Sequence, residues 1–286
     1  MRFAFVDQRR REFPVHLMCE VLGVSRSGYY AWRHRPASPR AARRAELTGR
    51  IRATHDESRG TYGSPRVTAE LKGAGVGVCE NTVARYMRLA GVRVTPRRRF
   101  VPRTTDADHA HPLAPNRLGR DFGATAPDRK WACDLTYLWT DEGWLYLSVV
   151  IDLFSRRVVG WSMADDLKAR GVAEALAMAL ARRKPGAGLL HHSDRGVQYA
   201  CELSQAMLDE HGITRSMSRP GNCYDNAAVE SFFGTLKTEL VHRTRYRTRD
   251  EARASVFEWI ECWYNRKRRH SSLGYVSPEA FEARHN

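Results

Sequence analysis

Apolar residues recur along this chain with two different periods. In the first third the spacing is helical, with Val15, Met18, Val21 and Leu22 falling on one face over 15–22. Gly23-Val-Ser25 interrupts that face, and Ser25 or Ser27 can cap a second helix running through Tyr29, Tyr30 and Trp32. The unit recurs. Pro65 starts a helix carrying Val67 and Leu71, glycines between 73 and 77 break it, and Glu80-Asn-Thr82 opens another with Val83, Tyr86, Met87 and Ala90 as its stripe. Each unit predicts two helices joined by a glycine-containing turn.

From Thr95 to Pro127 the periodicity disappears. Prolines stand at 96, 102, 112, 115 and 127 with basic and polar residues between them, which predicts an extended basic linker and a boundary near 125. Beyond it the pattern changes to runs of strand length. Trp131–Trp139 and Trp144–Ile151 flank the turn Asp141-Glu-Gly143, and Val158–Trp161 is a third, short strand. A helix over 169–183, a strand over 188–191, a helix over 203–211 and a strand over 213–216 follow. Asp225 or Asn226 can cap a helix reaching about Leu240, and a last helix runs over 249–265. A hairpin followed by alternating helices and strands predicts an α/β domain with a mixed sheet.

Charge sharpens this division. The chain has 286 residues, a length that suggests about two domains, and a formal net charge of +15. Residues 1–129 hold 25 Lys/Arg against 12 Asp/Glu, a net of +13, whereas the remainder is nearly balanced. A basic front end made of paired helices points to nucleic acid, and it makes each helical pair a candidate helix-turn-helix. Arg26, Tyr29, Asn81, Thr82 and Arg85 are then the candidate DNA contacts. No apolar run is long enough for a membrane-spanning helix, and the first residues carry no secretory pattern. Six cysteines without a Cys-x-x-Cys pair suit a reducing cytoplasm and supply no zinc finger.

Three acids of the second half stand out by position. Asp134 interrupts an apolar, aromatic strand, where a charge is costly unless paired or metal-bound. Asp194 lies just past the end of a strand, the usual edge for active sites in α/β sheets. Glu230 borders the stripe Val229, Phe233, Leu236 and Leu240 of its helix. Carboxylates brought together repel one another, and a hard divalent cation such as Mg²⁺ relieves the repulsion. Spacing alone is not diagnostic, so the text around each acid carries the weight.

That text resembles the integrase-type core of bacterial insertion-sequence transposases, the Asp-Asp-Glu class with an RNase H-like fold. Within it, the chain looks like the second-frame product of elements whose transposase is encoded in two overlapping frames. Trp131-x-x-Asp134-Leu-Thr-Tyr137, His192-Ser-Asp194-Arg-Gly-x-Gln198-Tyr199 and Ser218-x-x-Gly221-x-x-x-Asp225-Asn226-Ala-x-x-Glu230-Ser-Phe-Phe-x-x-Leu-Lys237 match the three acid-bearing segments. Tyr264-Asn-x-x-Arg268-x-His270-x-x-Leu-Gly-x-x-Ser-Pro278 matches the closing segment, and Tyr62-Gly-Ser-Pro-Arg66 and Leu113-Ala-Pro-Asn-Arg-Leu118 match the front end.

The resemblance implies cleavage at element ends and strand transfer by the freed 3′-hydroxyl. It implies two Mg²⁺ ions, with Mn²⁺ able to substitute, held by Asp134, Asp194 and Glu230. Lys237, two helical turns beyond Glu230, would contact a phosphate, and Arg195, Asn226, Arg268 and His270 are further candidate DNA contacts. His192 is either a support for the acids or a packed histidine. The implied organisation is a helix-turn-helix-like segment over 1–40, a second helical DNA-binding unit over 41–95, the linker over 96–126 and an RNase H-like core with a basic tail over 127–286. Implied partners are double-stranded DNA (element ends and target), further copies of the chain, and the first-frame or frame-fused product, in the bacterial cytoplasm at the nucleoid. Two other readings are a DNA-binding regulator, which has no need of three convergent acids, and a plain RNase H-like nuclease, which has no need of paired helix-turn-helix units.

Overall fold

The computed structural model describes residues 1–36, 38–94 and 112–285. Three helices, α1 (Arg2–Arg9), α2 (Val15–Val21) and α3 (Arg26–His34), close around Val6, Met18, Cys19 and Tyr29. The Ser25 hydroxyl accepts from the Gly28 amide at 3.0 Å and so caps α3, satisfying one of the orphan donors of its first turn. Helix α1 carries its apolar residues as one unbroken run, Phe3 to Val6, so no helical period announces it.

A second helical unit follows, made of α4 (Pro39–Glu57), α5 (Ser64–Gly73) and α6 (Glu80–Leu89). The long α4 escapes periodicity because its buried hydrophobic residues are only Leu47 and Ile51, set among arginines. These two residues share one continuous apolar cluster with Val67, Leu71, Val83 and Met87, and with Trp259 and Trp263 of the C-terminal half. Tyr62 is the joint. Its ring centre lies 5.7 Å from that of Trp263, and its hydroxyl accepts from the Arg269 amide at 2.7 Å. The second unit is therefore packed on the C-terminal half.

Most of the predicted linker, 96–111, lies outside the described residues. Its last part is no free arm. Leu118 is buried, and the amides of Arg117 and Leu118 donate to the Ser216 hydroxyl at 2.9 and 3.1 Å.

The C-terminal half is a five-stranded mixed sheet. Strands β1 (Lys130–Thr140), β2 (Gly143–Asp152) and β3 (Val158–Ala164) form an antiparallel set. β4 (Leu190–Ser193) joins β1 in parallel, and β5 (Thr214–Met217) joins β4, giving the order β3-β2-β1-β4-β5. Alternation along the strands sorts their side chains between two layers. One face (Trp131, Cys133, Val150, Val159) packs under α7 (Ala169–Arg183) and near α8 (Val197–Ala200) and α9 (Glu202–Glu210). At Gly160 of β3 a Cβ would run into the carbonyl of Ala175, so only glycine lets α7 approach so closely.

The other face (Ala132, Leu138, Leu147, Val149, Ile151) packs under α10 (Ala227–Glu239) and α11 (Arg249–Glu258), the latter continuing as a π turn over Trp259–Tyr264. A short α12 (Pro278–Ala283), capped by Ser277, follows. This is the RNase H-like α/β architecture that the sequence predicts. Boundaries shift by about two residues, as at β4, which begins two residues later than its apolar run suggests.

Candidate active site and nucleic-acid interface

The sheet itself brings two of the three acids together. β1 and β4 pair Lys130 with Leu190, Trp131 with His191 and Ala132 with His192. Continued by two residues, that register sets Asp134 level with Asp194, on neighbouring strands that run about 4.7–4.9 Å apart. Asp134 lies opposite Val149, so it belongs to the face that α10 covers. Glu230 stands on α10 beside Val229, which is buried in that same layer.

The electrostatics agree with this placement. Burial, then the charge of Asp194 and, more weakly, that of Glu230, push the Asp134 carboxyl well above the ordinary carboxylate range. The Leu135 amide, donating to Asp134 Oδ1 at 2.8 Å, and the Lys237 ammonium act in the opposite sense. Burial also raises Glu230 and lowers Lys237, with Asp134 holding Lys237 up. Asp194 Oδ1 accepts from the Gly196 amide at 2.9 Å, which fixes the side chain at the strand end. Among the described residues, no three His, Cys, Asp or Glu side chains are gathered closely enough to hold a metal ion as they stand. Asp134 is set by β1, Asp194 stands just past the end of β4, and the charge of Glu230 acts on Asp134 from the helix above.

Lys237 connects the acids to the surface. Its Nζ lies 5.3 Å from the centre of the Tyr137 ring while its charge acts on Asp134. Arg195 is half-buried and donates from Nε to the Ser218 carbonyl at 2.6 Å, which ties the Asp194 loop to the segment after β5.

Three of the residues read as DNA contacts are instead interior. Tyr29 is fully buried in the first helical unit, where its hydroxyl donates to Asp7 Oδ1 at 2.9 Å. Its neighbour Tyr30 holds the exposed position. Asn226 is buried, and rather than capping α10 its Nδ2 donates to the Cys133 carbonyl at 3.1 Å. Arg268 is buried in a two-pronged pair with Glu239, at 2.8 and 2.7 Å. Sequence could not separate them from surface residues because each is polar on a helix or loop whose facing is set by tertiary packing.

His270 accepts from Arg268 Nη1 at 3.3 Å and stacks edge-on against Tyr264. Burial and the charges of Arg268, Arg66 and Arg156 push it down to about 2, so it stays neutral. Arg26, Asn81 and Arg85 are exposed, and Thr82 is half-buried with its hydroxyl 3.2 Å from Cys79 Sγ. His192 resolves as a packed histidine, bridging the hydroxyls of Ser216 and Ser218 at 2.9 and 3.2 Å.

The polar hub of the site is Asp225, which the sequence reading treats only as a possible cap. Fully buried, it accepts from Arg219, Arg120 and Asn116 and so joins 112–122 to the loop that precedes α10. Those bonds, that of Arg219 first, hold its carboxyl well below the usual range. The available signal was an acid next to the predicted helix start, with arginines at 120 and 219.

Models of the integrase core domain match residues 124–223 and 211–278, and a model of an HTH-like domain matches 42–100. The chain is 46% identical over 284 residues to the transposase InsF for insertion sequence IS3A of Escherichia coli K12, covering 99% of this chain and 98% of that protein. It is 43% identical over 269 residues to the 31 kDa protein of insertion element IS600 of Shigella sonnei, covering 94% and 98%. Among solved structures, the catalytic core domain of BIV integrase is similar at TM-score 0.43 and 20% identity, covering 55% of this chain and 95% of that one. The simian T-cell lymphotropic virus intasome is similar at TM-score 0.48 and 16% identity, covering 82% and 74%.

Proposed function

The chain belongs to the insertion-sequence transposases of the IS3 InsF type and is a DNA transposase built on an integrase core, and from that premise we propose that Asp134, Asp194 and Glu230 are its catalytic carboxylates. The observation that carries the assignment is the register of β1 and β4, which, continued two residues beyond Ala132 and His192, brings the two aspartates level on the side of the helix that bears the glutamate.

The donor chemistry suits Mg²⁺. Three carboxylates offer hard oxygen ligands, and the burial and like charge that raise Asp134 are what a divalent cation would relieve. Asp134, Asp194 and Glu230 would hold two such ions, or Mn²⁺ in their place, with Glu230 drawn in from α10. When bound, the ions supply Lewis acidity that activates the attacking oxygen and stabilises the leaving one in an in-line phosphoryl transfer. The chain's own residues bind and orient the DNA. Lys237, half-buried beside Asp134, steadies a phosphate next to the scissile one. Arg195 and Asp225 keep the two loops that frame the site in place.

The helical units over 1–40 and 41–95 grip the element end. Arg26, Asn81, Thr82 and Arg85 meet the DNA there, and 127–286 does the chemistry. His270, held against Arg268, supports that end of the fold and does not itself touch DNA. Joining two ends requires more than one protomer, so the active form is a multimer on DNA, with the first-frame or frame-fused product as a further partner at the nucleoid. Among the described residues no helix is long and apolar enough to cross a membrane.

Asp194→Asn tests the assignment. With labelled element ends and Mg²⁺, the variant is expected to bind the ends as the wild type does and to give neither cleavage nor joined product. Wild-type product from that variant overturns it. Cleavage by the native chain without any joining would favour the nuclease reading.

A further inference from the structure

The far end of the β1–β2 hairpin carries an aromatic cluster that the core does not use. Tyr137, Trp139 and Trp144 leave 48%, 56% and 42% of their surface in solvent. They are not scattered. Trp139 and Trp144 face each other across the hairpin with ring centres 4.8 Å apart, and Tyr137 meets Trp144 edge-on at 5.0 Å. The three rings make one fixed apolar surface.

Two neighbours give that surface a chemical direction. Lys237 lies over the Tyr137 ring and acts on Asp134, so one cation links the cluster to that acid. On its other side runs Arg243-Thr-Arg-Tyr-Arg-Thr-Arg249, four arginines alternating with no acid among them. This segment is fastened to the hairpin. The Asp141 amide donates to the Tyr246 carbonyl at 3.0 Å, the Arg249 amide to Glu142 at 2.8 Å, and Arg249 Nε to the Trp144 carbonyl at 3.1 Å. The Arg245 and Arg247 side chains remain 84% and 81% exposed, in solvent-facing pairs with Asp141 and Glu251 that a phosphate would displace at little cost.

Resting on the transposase reading above, we infer that Tyr137, Trp139 and Trp144 form a stacking surface for unpaired nucleobases of the DNA strand passing the acid site, with Arg245 and Arg247 on its phosphates. An exposed aromatic platform bordered by cations is the combination that takes single-stranded nucleic acid without regard to sequence, because every base has a flat face. Paired bases hide their faces, so the surface takes frayed or displaced nucleotides. A second copy of this chain would bury the rings as well, yet it would give Arg245 and Arg247 no reason to stand so exposed beside them.

The test is a titration of the full chain, without divalent cation, with a twelve-nucleotide oligothymidylate carrying one central 2-aminopurine. Binding is expected to quench the 2-aminopurine. Trp139→Leu and Trp144→Leu should each remove most of the quenching and weaken binding about tenfold, the scale of a lost base–aromatic stack. Trp139→Phe should restore binding, which separates lost stacking from a folding defect. Arg245→Gln with Arg247→Gln should flatten the salt dependence and leave quenching at saturation. Binding without quenching, or quenching that both leucine variants retain, overturns the inference. So does a leucine variant that changes the sedimentation mass while binding the oligonucleotide normally, the outcome expected of a contact between copies. Asp194→Asn should quench as the wild type does. Cleavage by that variant would sink the acid assignment and leave this surface standing, so the two readings fail separately.

Discussion

Asn226 donates from Nδ2 to the carbonyl of Cys133 at 3.1 Å, so the helix that bears Glu230 is fastened to the residue immediately before Asp134. The bond spans two elements that are 93 residues apart in the chain. With the packing of Val229 and Phe233 on the sheet, it helps to set the distance between the glutamate and the strand acids.

Asn226→Ala should therefore damage both stability and chemistry. Losing the donor leaves a buried carbonyl unpaired, at a cost of about 1–3 kcal/mol. Calorimetry should show a lower melting temperature, and strand-transfer yield should fall at least tenfold at temperatures where the variant is folded. End binding by gel shift should hardly change. Full yield in a destabilised Asn226→Ala would show that the amide serves stability alone.

Arg268 offers a contrast. It sits at the end of the last long helical stretch within a run of basic residues, and the run as written suggests a track for DNA. The side chain instead turns inward to Glu239, with Arg66 3.6 Å from the same carboxylate. Arg268→Ala should cost about 3–5 kcal/mol of stability, because it leaves Glu239 buried without its main partner. Replacing Arg268 and Glu239 together by Met and Leu should recover much of that loss. Chemical denaturation of the wild type and the two variants checks this, and a single variant as stable as the double one would contradict it.

Three histidines held below their ordinary range give the fold an acid edge. Burial holds His191 and His192 down from 6.5 to about 4, and His270 is held at about 2 by burial and its arginine neighbours. A folded-state value below the unfolded one stabilises the chain above about pH 6.5 and is lost progressively as the pH falls through that value toward the folded one. By linkage each such histidine costs about 1–2 kcal/mol at pH 5. The melting temperature should thus drop between pH 7 and pH 5. His270→Gln keeps an acceptor for Arg268 but cannot titrate, so its drop should be smaller. Equal drops in both proteins would show that His270 titrates normally.

The order of strands and helices in the catalytic half was readable because each follows a clean period bounded by Gly, Pro or a cap. Asp134 was readable because a charge inside an apolar strand has few explanations. Helix α4 was not, since a stripe of two buried hydrophobic residues gives almost no periodic signal. Tyr29, Asn226 and Arg268 were misread for a common reason. Which way a polar side chain on an amphipathic element faces depends on what packs against it, and Asp7, Cys133 and Glu239 are distant in sequence. Asp225 shows the converse, a buried hub whose partners come from two loops that no local pattern connects.

The central claim is that a divalent cation gathers Asp134, Asp194 and Glu230 into one site, and a crystal of the chain soaked in Mn²⁺ tests it most directly. The account predicts an anomalous peak within coordinating distance of Asp134 and Asp194, with the Glu230 carboxylate moved in to join them. An occupied Mn²⁺ elsewhere in the crystal with no peak between the two aspartates would contradict it.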